Sequence, residues 1–551
     1  MSAKNLLFVL TCHQGYIRHV EDENAHVAEN DILFTSISST YLPLLRLFER
    51  LERDAVPVTI SLVISPIVTS LLADPVVQQQ YIEWLDRHIL LGERECARCA
   101  QDKKRSVLAQ RYLAGFQSDK YDFCEKYTQN LLREFARFAK KGLVELLATA
   151  GSYAFLPHYA DMTEILNAQV ETGLYAHRAC FGTMPEGFWL PHLGYAQGVE
   201  NVLRAYGINY TFVDTHAVLF GDVPAENGIF TPVRTQNSLV LFARDTETPN
   251  DICGENGFCK APVYKEMHKD IGFDLSKEAL GEFLLPGDIR VASGYQYWSH
   301  AGEDYDVEAA QAQVQADADA FVEQKKAKLE KAASLLTDKD VSLACTIPVD
   351  AVVAEWAEGI DFLEAVIRKS ARELSVVSAS SLLQGQFSLQ RITAYPSAAS
   401  GTGYGEDLLD SSNGWMLRYT RKMCERMIDL VGRFPAETGL RARLLNLAAK
   451  ELLIAQGSEW PKMMHDNHDT EYVAEHFKAS IKAFITVFDA LGSNTVSTEW
   501  LTRMEREHSL FPWMTARENI AFAVYQNSKK RQKISKKEAL SIAQKFLEKV
   551  E

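Results

Sequence analysis

The chain has 551 residues, 47% of them apolar and 24% charged, with a formal net charge of −15. That is enough for two or three globular domains, and no run of about 18 uncharged apolar residues is present to form a membrane helix. The acidic balance argues against nucleic acid as the main partner, because phosphate binding calls for clustered Lys and Arg. At the start, MSAKNLLFVLTCHQGY holds a short apolar run, lacks a small-residue cleavage site and leads straight into His13, Tyr16 and Arg18. It reads as a buried first strand at Leu6–Leu10 rather than a leader peptide, and the expected location is the cytoplasm.

Further strands are predicted at Val58–Val63, Val144–Ala148, Gly187–Leu190, Tyr210–Val213, Leu239–Ala243 and Ser342–Ile347. Amphipathic helical patterns lie between them, as at Thr40–Arg53 and Tyr195–Tyr206. Alternation of strand and helix implies a parallel α/β sheet covered by helices, with a closed barrel as the leading form. Two insertions interrupt it. Residues 75–141 read as nearly continuous helix, and residues 223–290, rich in Gly, Pro and Asn, read as long loops over one face, where binding residues commonly lie. Residues 306–336 form a long Ala/Gln/Lys-rich helix expected on the outside. A loop-rich stretch, 379–414, precedes helical patterns at Trp415–Arg433, Leu440–Gln456, Thr470–Leu491 and Ser497–Met504. The expected division is a barrel over 1–395 and a helical domain over 396–551.

Nine cysteines show no pairing arithmetic, and Cys96-x-x-Cys99 lacks a second pair at zinc spacing, so both read as helix residues with reduced thiols. His465 and His468 have helical spacing without a third ligand, and no metal or cofactor is expected. The cluster Lys529, Lys530, Arg531, Lys533, Lys536 and Lys537 reads as a solvated helix end.

Five stretches in order carry a resemblance: LTCHQGYIRHVED at 10–22, GLVELLATAGSYAFLPHY at 142–159, PEGFWLPHLGYAQGVENVLRAYGINYTFVDTH at 185–216, IPVDAVVAEWAEGIDFLEAV at 347–366 and ELLIAQGSEWPKMM at 451–464. They resemble the conserved regions of glycoside hydrolase family 57, and among its members the 1,4-α-glucan branching enzymes. The resemblance implies an incomplete (β/α)7 barrel with a helical insertion, followed by an all-α C-terminal domain. It also implies a retaining mechanism on α-glucans, in which two carboxylates about 5–5.5 Å apart serve as nucleophile and acid/base.

The chemistry departs from that pattern. The family's nucleophile is a Glu closing a Trp-Leu-Pro-Glu string; here Trp189-Leu190-Pro191 is followed by His192. An imidazole adduct is cationic and gives little help to an oxocarbenium-like transition state, which a carboxylate stabilises. Asp350 falls at the acid/base position when Ile347-Pro348 is read as the strand end, whereas aligning backwards from Glu358-Gly359 puts Pro348 there. Asp350 as a helix cap is a competing reading. Of two histidines expected in the first region, one is Thr11 and only His13 remains; expected aromatics fall at Ile252 and near Ala399. Sugar contacts implied by the resemblance remain at His13, Tyr16, Arg18, Trp189, Trp298, Trp460 and Glu459, where the family usually has Asp, although aromatics in such strings commonly serve core packing.

Two functions follow. The first is a branching or amylase-type enzyme with Asp350 as acid/base and an unrecognised nucleophile. The second is a non-catalytic relative that binds α-glucan or maltooligosaccharide or regulates its metabolism, in company with an active paralogue or as a homo-oligomer. The joint departures at Thr11, His192, Ile252 and Ala399 favour the second; new chemistry at the same barrel face is a weaker third.

Overall fold

The computed structural model describes residues 3–18, 27–336, 339–384, 388–435, 437–493, 495 and 497–507. Nine strands occur in this range: β1 (Lys4–Cys12), β2 (Ile60–Ile64), β3 (Val144–Thr149), β4 (Gly187–Trp189), β5 (Tyr210–Val213), β6 (Val233–Arg234), β7 (Val240–Ala243), β8 (Val341–Pro348) and β9 (Ser375–Val376). Their order is β6-β7-β5-β4-β3-β2-β1-β8, with β9 also against β1. All neighbours are parallel except β6 and β7. The sheet curls back on itself: Arg244, just past β7, bridges Ala344 of β8, and the Asp245 amide donates to the Ala344 carbonyl at 2.8 Å. The seven strands expected from the sequence are therefore the staves of an incomplete (β/α)7 barrel; β6 and β9 are additions that the sequence did not announce.

The strands are apolar on both faces because both are covered. On β1, Leu6, Phe8 and Leu10 join the core under the outer helices, while Leu7 and Val9 point inward to meet Val63, Leu147, Trp189, Phe212 and Phe242. Gly173 lets the helix Thr163–Phe181 lie directly on β3, since a Cβ there would collide with the Thr149 carbonyl.

Residues 75–141 hold the helices Pro75–Arg98, Lys103–Tyr121 and Leu131–Lys140. Asp74 and Asp102 start the first two, each side chain accepting a backbone N–H of the first turn. Residues 223–290 hold loops, short helices, β6 and β7. A separate core joins the insertion to these loops through Leu91, Leu108, Phe283, Tyr295 and Tyr297. The long outer helix is Val307–Leu335. One helix is shorter than expected. It starts at Val199 rather than Tyr195, because the Tyr195 amide bonds to the Ser397 carbonyl and Gly198 adopts φ +101°. The last region is helical: Gly414–Arg433, Gly439–Ala455, Glu459–His465, Thr470–Ser493 and Thr498–Glu507. The cluster Lys529–Lys537 lies outside the described residues. Within them, no helix is long and apolar enough to cross a membrane.

Candidate active site

Register brings the strand ends level: Thr11 on β1 pairs with Val63 on β2 and Pro348 on β8, and Thr149 on β3 with Trp189 on β4. The residues just beyond these ends converge. His13 follows β1, Ser65 follows β2, Tyr153 follows β3, His192 follows β4 and Asp350 follows β8. This is the C-terminal rim, where barrels of this kind carry their sites.

His13 is the hub. Its amide donates to Asp350 Oδ2 at 2.6 Å, its Nδ1 lies 2.9 Å from Ser65 Oγ and its Nε2 is paired with the Glu459 carboxylate. The imidazole stacks on the Tyr153 ring, centroids 3.7 Å apart and planes 17° apart. Tyr153 is held from below by the Trp189 indole, whose Nε1–H donates to its hydroxyl at 3.1 Å. Both carboxylates, Asp350 and Glu459, thus contact one residue. Burial pushes the Asp350 carboxyl up to about 6, although the His13 amide favours its ionised form. Near neutral pH such a group can both give and take a proton.

His192 sits opposite, at φ 52° and ψ 22°, in the left-handed region. Its Nε2 lies 2.9 Å from Ser458 Oγ, and Ser458 Oγ donates its one proton to the Tyr153 carbonyl at 2.7 Å. The ring must therefore be the donor, which fixes the Nε2–H tautomer. Burial holds His192 down to about 4, and the charge of His13 adds a smaller push the same way. A neutral ring with its Nε2–H spent on Ser458 carries no negative charge into the pocket.

The other expected contacts separate into two groups. Glu459 and Trp189 belong to the site just described. Trp460 is core, its Nε1–H bonded to the Ile454 carbonyl at 2.7 Å. Arg18 is buried in an ion pair with Asp74, Nε to Oδ2 2.6 Å, which ties the segment after β1 to the start of the helical insertion. Tyr16 is buried nearby, and burial pushes its hydroxyl above the usual phenol range. Trp298 lies with the insertion, its ring met by Lys269 at 3.8 Å and Arg105 at 5.0 Å. Thr11 is a buried strand residue and Ile252 is buried in the outer core. Ala399 lies beside the site, its amide donating to the His192 carbonyl at 2.6 Å. His465 and His468 pair with different carboxylates, Asp410 and Asp469. Cys99 donates its thiol to Glu95 at 3.2 Å.

Tyr153, Ser65 and Ser458 were missed by sequence reasoning. Tyr153 and Ser458 stand inside stretches that carried the resemblance, but a lone aromatic or serine gives no signal of pocket placement.

A seven-stave parallel barrel with an acid raised toward neutrality at its C-terminal rim, joined there by Ser458 and Glu459 of the helical region, has the layout that the resemblance to glycoside hydrolases implies. Residues 7–304, more than half of the chain, match glycosyl hydrolase family 57, and residues 419–518 match the C-terminal region of 1,4-alpha-glucan branching enzyme. The chain belongs to glycosyl hydrolase family 57. It is 23% identical over 506 residues to 1,4-alpha-glucan branching enzyme TK1436 of Thermococcus kodakarensis, covering 85% of this chain and 70% of that one. Its fold is similar to that of the alpha-amylase AmyC of Thermotoga maritima, with a TM-score of 0.86 and 26% identity over 94% of this chain and 99% of that chain. It is similar also to the branching enzyme of Pyrococcus horikoshii, with a TM-score of 0.82 and 22% identity over 94% and 96% of the two chains.

Proposed function

We propose that this chain is a catalytically impaired relative of the branching enzymes, working in the cytoplasm, that binds α-glucan or regulates its metabolism. In this reading a barrel domain to residue 395 and a helical domain from 396 enclose the pocket, and an active paralogue or a second copy is the partner. One observation carries the reading. At the end of β4, where retention needs a carboxylate, stands His192, a neutral ring whose Nε2–H is committed to Ser458. In this reading the rim cluster beside it, with His13 stacked on Tyr153 and in contact with both Asp350 and Glu459, supplies polar contacts to a sugar.

A second reading, an active branching or amylase-type enzyme, is favoured by Glu459. It contacts the same His13 as Asp350, and among the described residues it is the one other carboxylate paired with that residue. Incubation with amylose separates the two. The first reading predicts neither α-1,6 branch points nor reducing ends above the buffer rate, and a slow gain of hydrolysis in His192→Glu. Turnover by the native chain that Asp350→Asn abolishes would establish the second reading instead.

A further inference from the structure

Past β7 the chain folds one helix end back on itself and leaves two sulfurs in contact. The helix Glu247–Cys253 ends where the Gly254 amide donates to the Asn250 carbonyl at 2.9 Å. The Gly257 amide then donates to the Gly254 carbonyl at 3.0 Å, and the Lys260 amide to the Gly257 carbonyl at 3.1 Å. The return is tight: a Cβ on Gly257 would stand 2.6 Å from the Ile252 carbonyl oxygen. Cys259 thereby meets Cys253, and the Cys253 thiol donates a hydrogen bond to the Cys259 sulfur. Both are free thiols. Cys259 is buried and Cys253 is partly open to solvent.

Among the described residues, which include all nine cysteines, this setting is singular. Burial pushes seven of the thiols up. The hydrogen bond from Cys253 instead brings Cys259 down to about 7, against the effect of its own burial, and the Lys260 ammonium adds to that. At Cys96-x-x-Cys99, by contrast, the Cys99 thiol donates to Glu95. The loop is also anchored on either side. Asp251 Oδ2 receives Lys325 at 2.6 Å, and Lys260 lies 3.6 Å from Glu355. The helix Glu247–Cys253 packs on β8 and on the helix Val349–Glu355, whose first turn holds Asp350.

We propose that Cys253 and Cys259 are a redox modification site: a dithiol that a low-molecular-weight disulfide, such as oxidised glutathione, closes to an intrachain disulfide beside the helix that carries Asp350. One proton leaves the pair to water, and the proton left between the sulfurs moves to Cys259, which bares the accessible Cys253 as thiolate. Its sulfur attacks the glutathione disulfide; a mixed disulfide forms, and one glutathione leaves as thiolate and takes up a proton from water. Cys259 then gives its proton to water and attacks the Cys253 sulfur. The bond to glutathione breaks, the Cys253–Cys259 bond forms, and the second glutathione leaves and is protonated. The two cysteine sulfurs lose two electrons in all and the glutathione disulfide gains them. Sulfurs already in hydrogen-bond contact need only a short travel to the bonded distance of about 2.05 Å. The inference is independent of whether the chain binds glucan.

Peptide mapping of the native full chain after exposure to oxidised glutathione at mildly alkaline pH tests it. The reaction is quenched with acid, remaining thiols are alkylated in denaturant, and the chain is cut with trypsin, which leaves both cysteines on one peptide, residues 245–260. That peptide should be lighter by two hydrogens and unalkylated while Cys96 and Cys99 remain alkylated, and dithiothreitol before alkylation should restore both sites. The variant Cys259→Ser should stop at the first step, with glutathione held on Cys253. A native peptide alkylated at both cysteines overturns the proposal, as does one that keeps glutathione on Cys253 without closing. Oxidation of Cys96 and Cys99 at an equal rate marks general thiol oxidation and overturns it too. Should Cys259→Ser not fold, the native peptide decides alone.

Discussion

At His192 the backbone and the ring act together. A left-handed φ points the side chain at Ser458, and the spent Ser458 proton fixes which ring nitrogen carries hydrogen. Long-range 15N–1H spectra at about pH 5.5 should report a neutral Nε2–H tautomer for His192; a doubly protonated ring at that pH contradicts the assignment. The linkage has a definite sign. The folded ring titrates at about 4 against 6.5 for a free histidine, so the unfolded chain takes up the proton first. His192 then contributes stability above 6.5 that is lost as pH falls through about 4. Asp350 works the other way, its contribution present below 3.8 and lost as pH rises through about 6. His192 and Asp350 are legible in the sequence because each ends a strand-like string. Tyr153 is not, since an aromatic in an apolar stretch usually packs in the core. Arg18, Trp460 and Trp298 are equally legible as residues, but their partners Asp74, Ile454 and Lys269 are distant in the chain or unmarked by pattern.

The barrel seam is an element-level device. Asp245, fully buried just past β7, receives Lys325 at 2.7 Å and Lys328 at 2.7 Å from the long outer helix. Lys325 also reaches Asp251 at 2.6 Å and is itself buried. The helix thus clamps the place where β7 meets β8. Lys325→Ala leaves the buried Asp245 carboxylate to the partly hydrated Lys328 and should cost about 3 kcal/mol, read from urea midpoints. Lys328→Ala, with its ammonium partly in water, should cost about 1–3 kcal/mol. Equal and negligible losses would show that the seam does not depend on these ions. The strands around the seam are readable because two covered faces force long apolar runs, as in Leu6–Leu10. The closing bridge, β6 and β9 are not, because one or two residues carry no period and pair only when the rest of the sheet presents an edge.

For the whole molecule, five sequence stretches spread over most of the chain meet at one rim, and a helical region more than 400 residues from β1 supplies Ser458 and Glu459 to it. That convergence explains why the family, the barrel and the residue at each strand end could be read from the sequence while the contacts among them, such as His13 with Glu459 and His192 with Ser458, could not. A retaining glycosidase passes through a covalent glycosyl–enzyme ester. Incubation with a 2-deoxy-2-fluoro-α-maltosyl fluoride, followed by intact-mass and peptide mapping, looks for that ester directly. A chain without a nucleophile keeps its native mass, which is the result predicted here. A sugar adduct on Glu459, or on any other carboxylate at the rim, would contradict it.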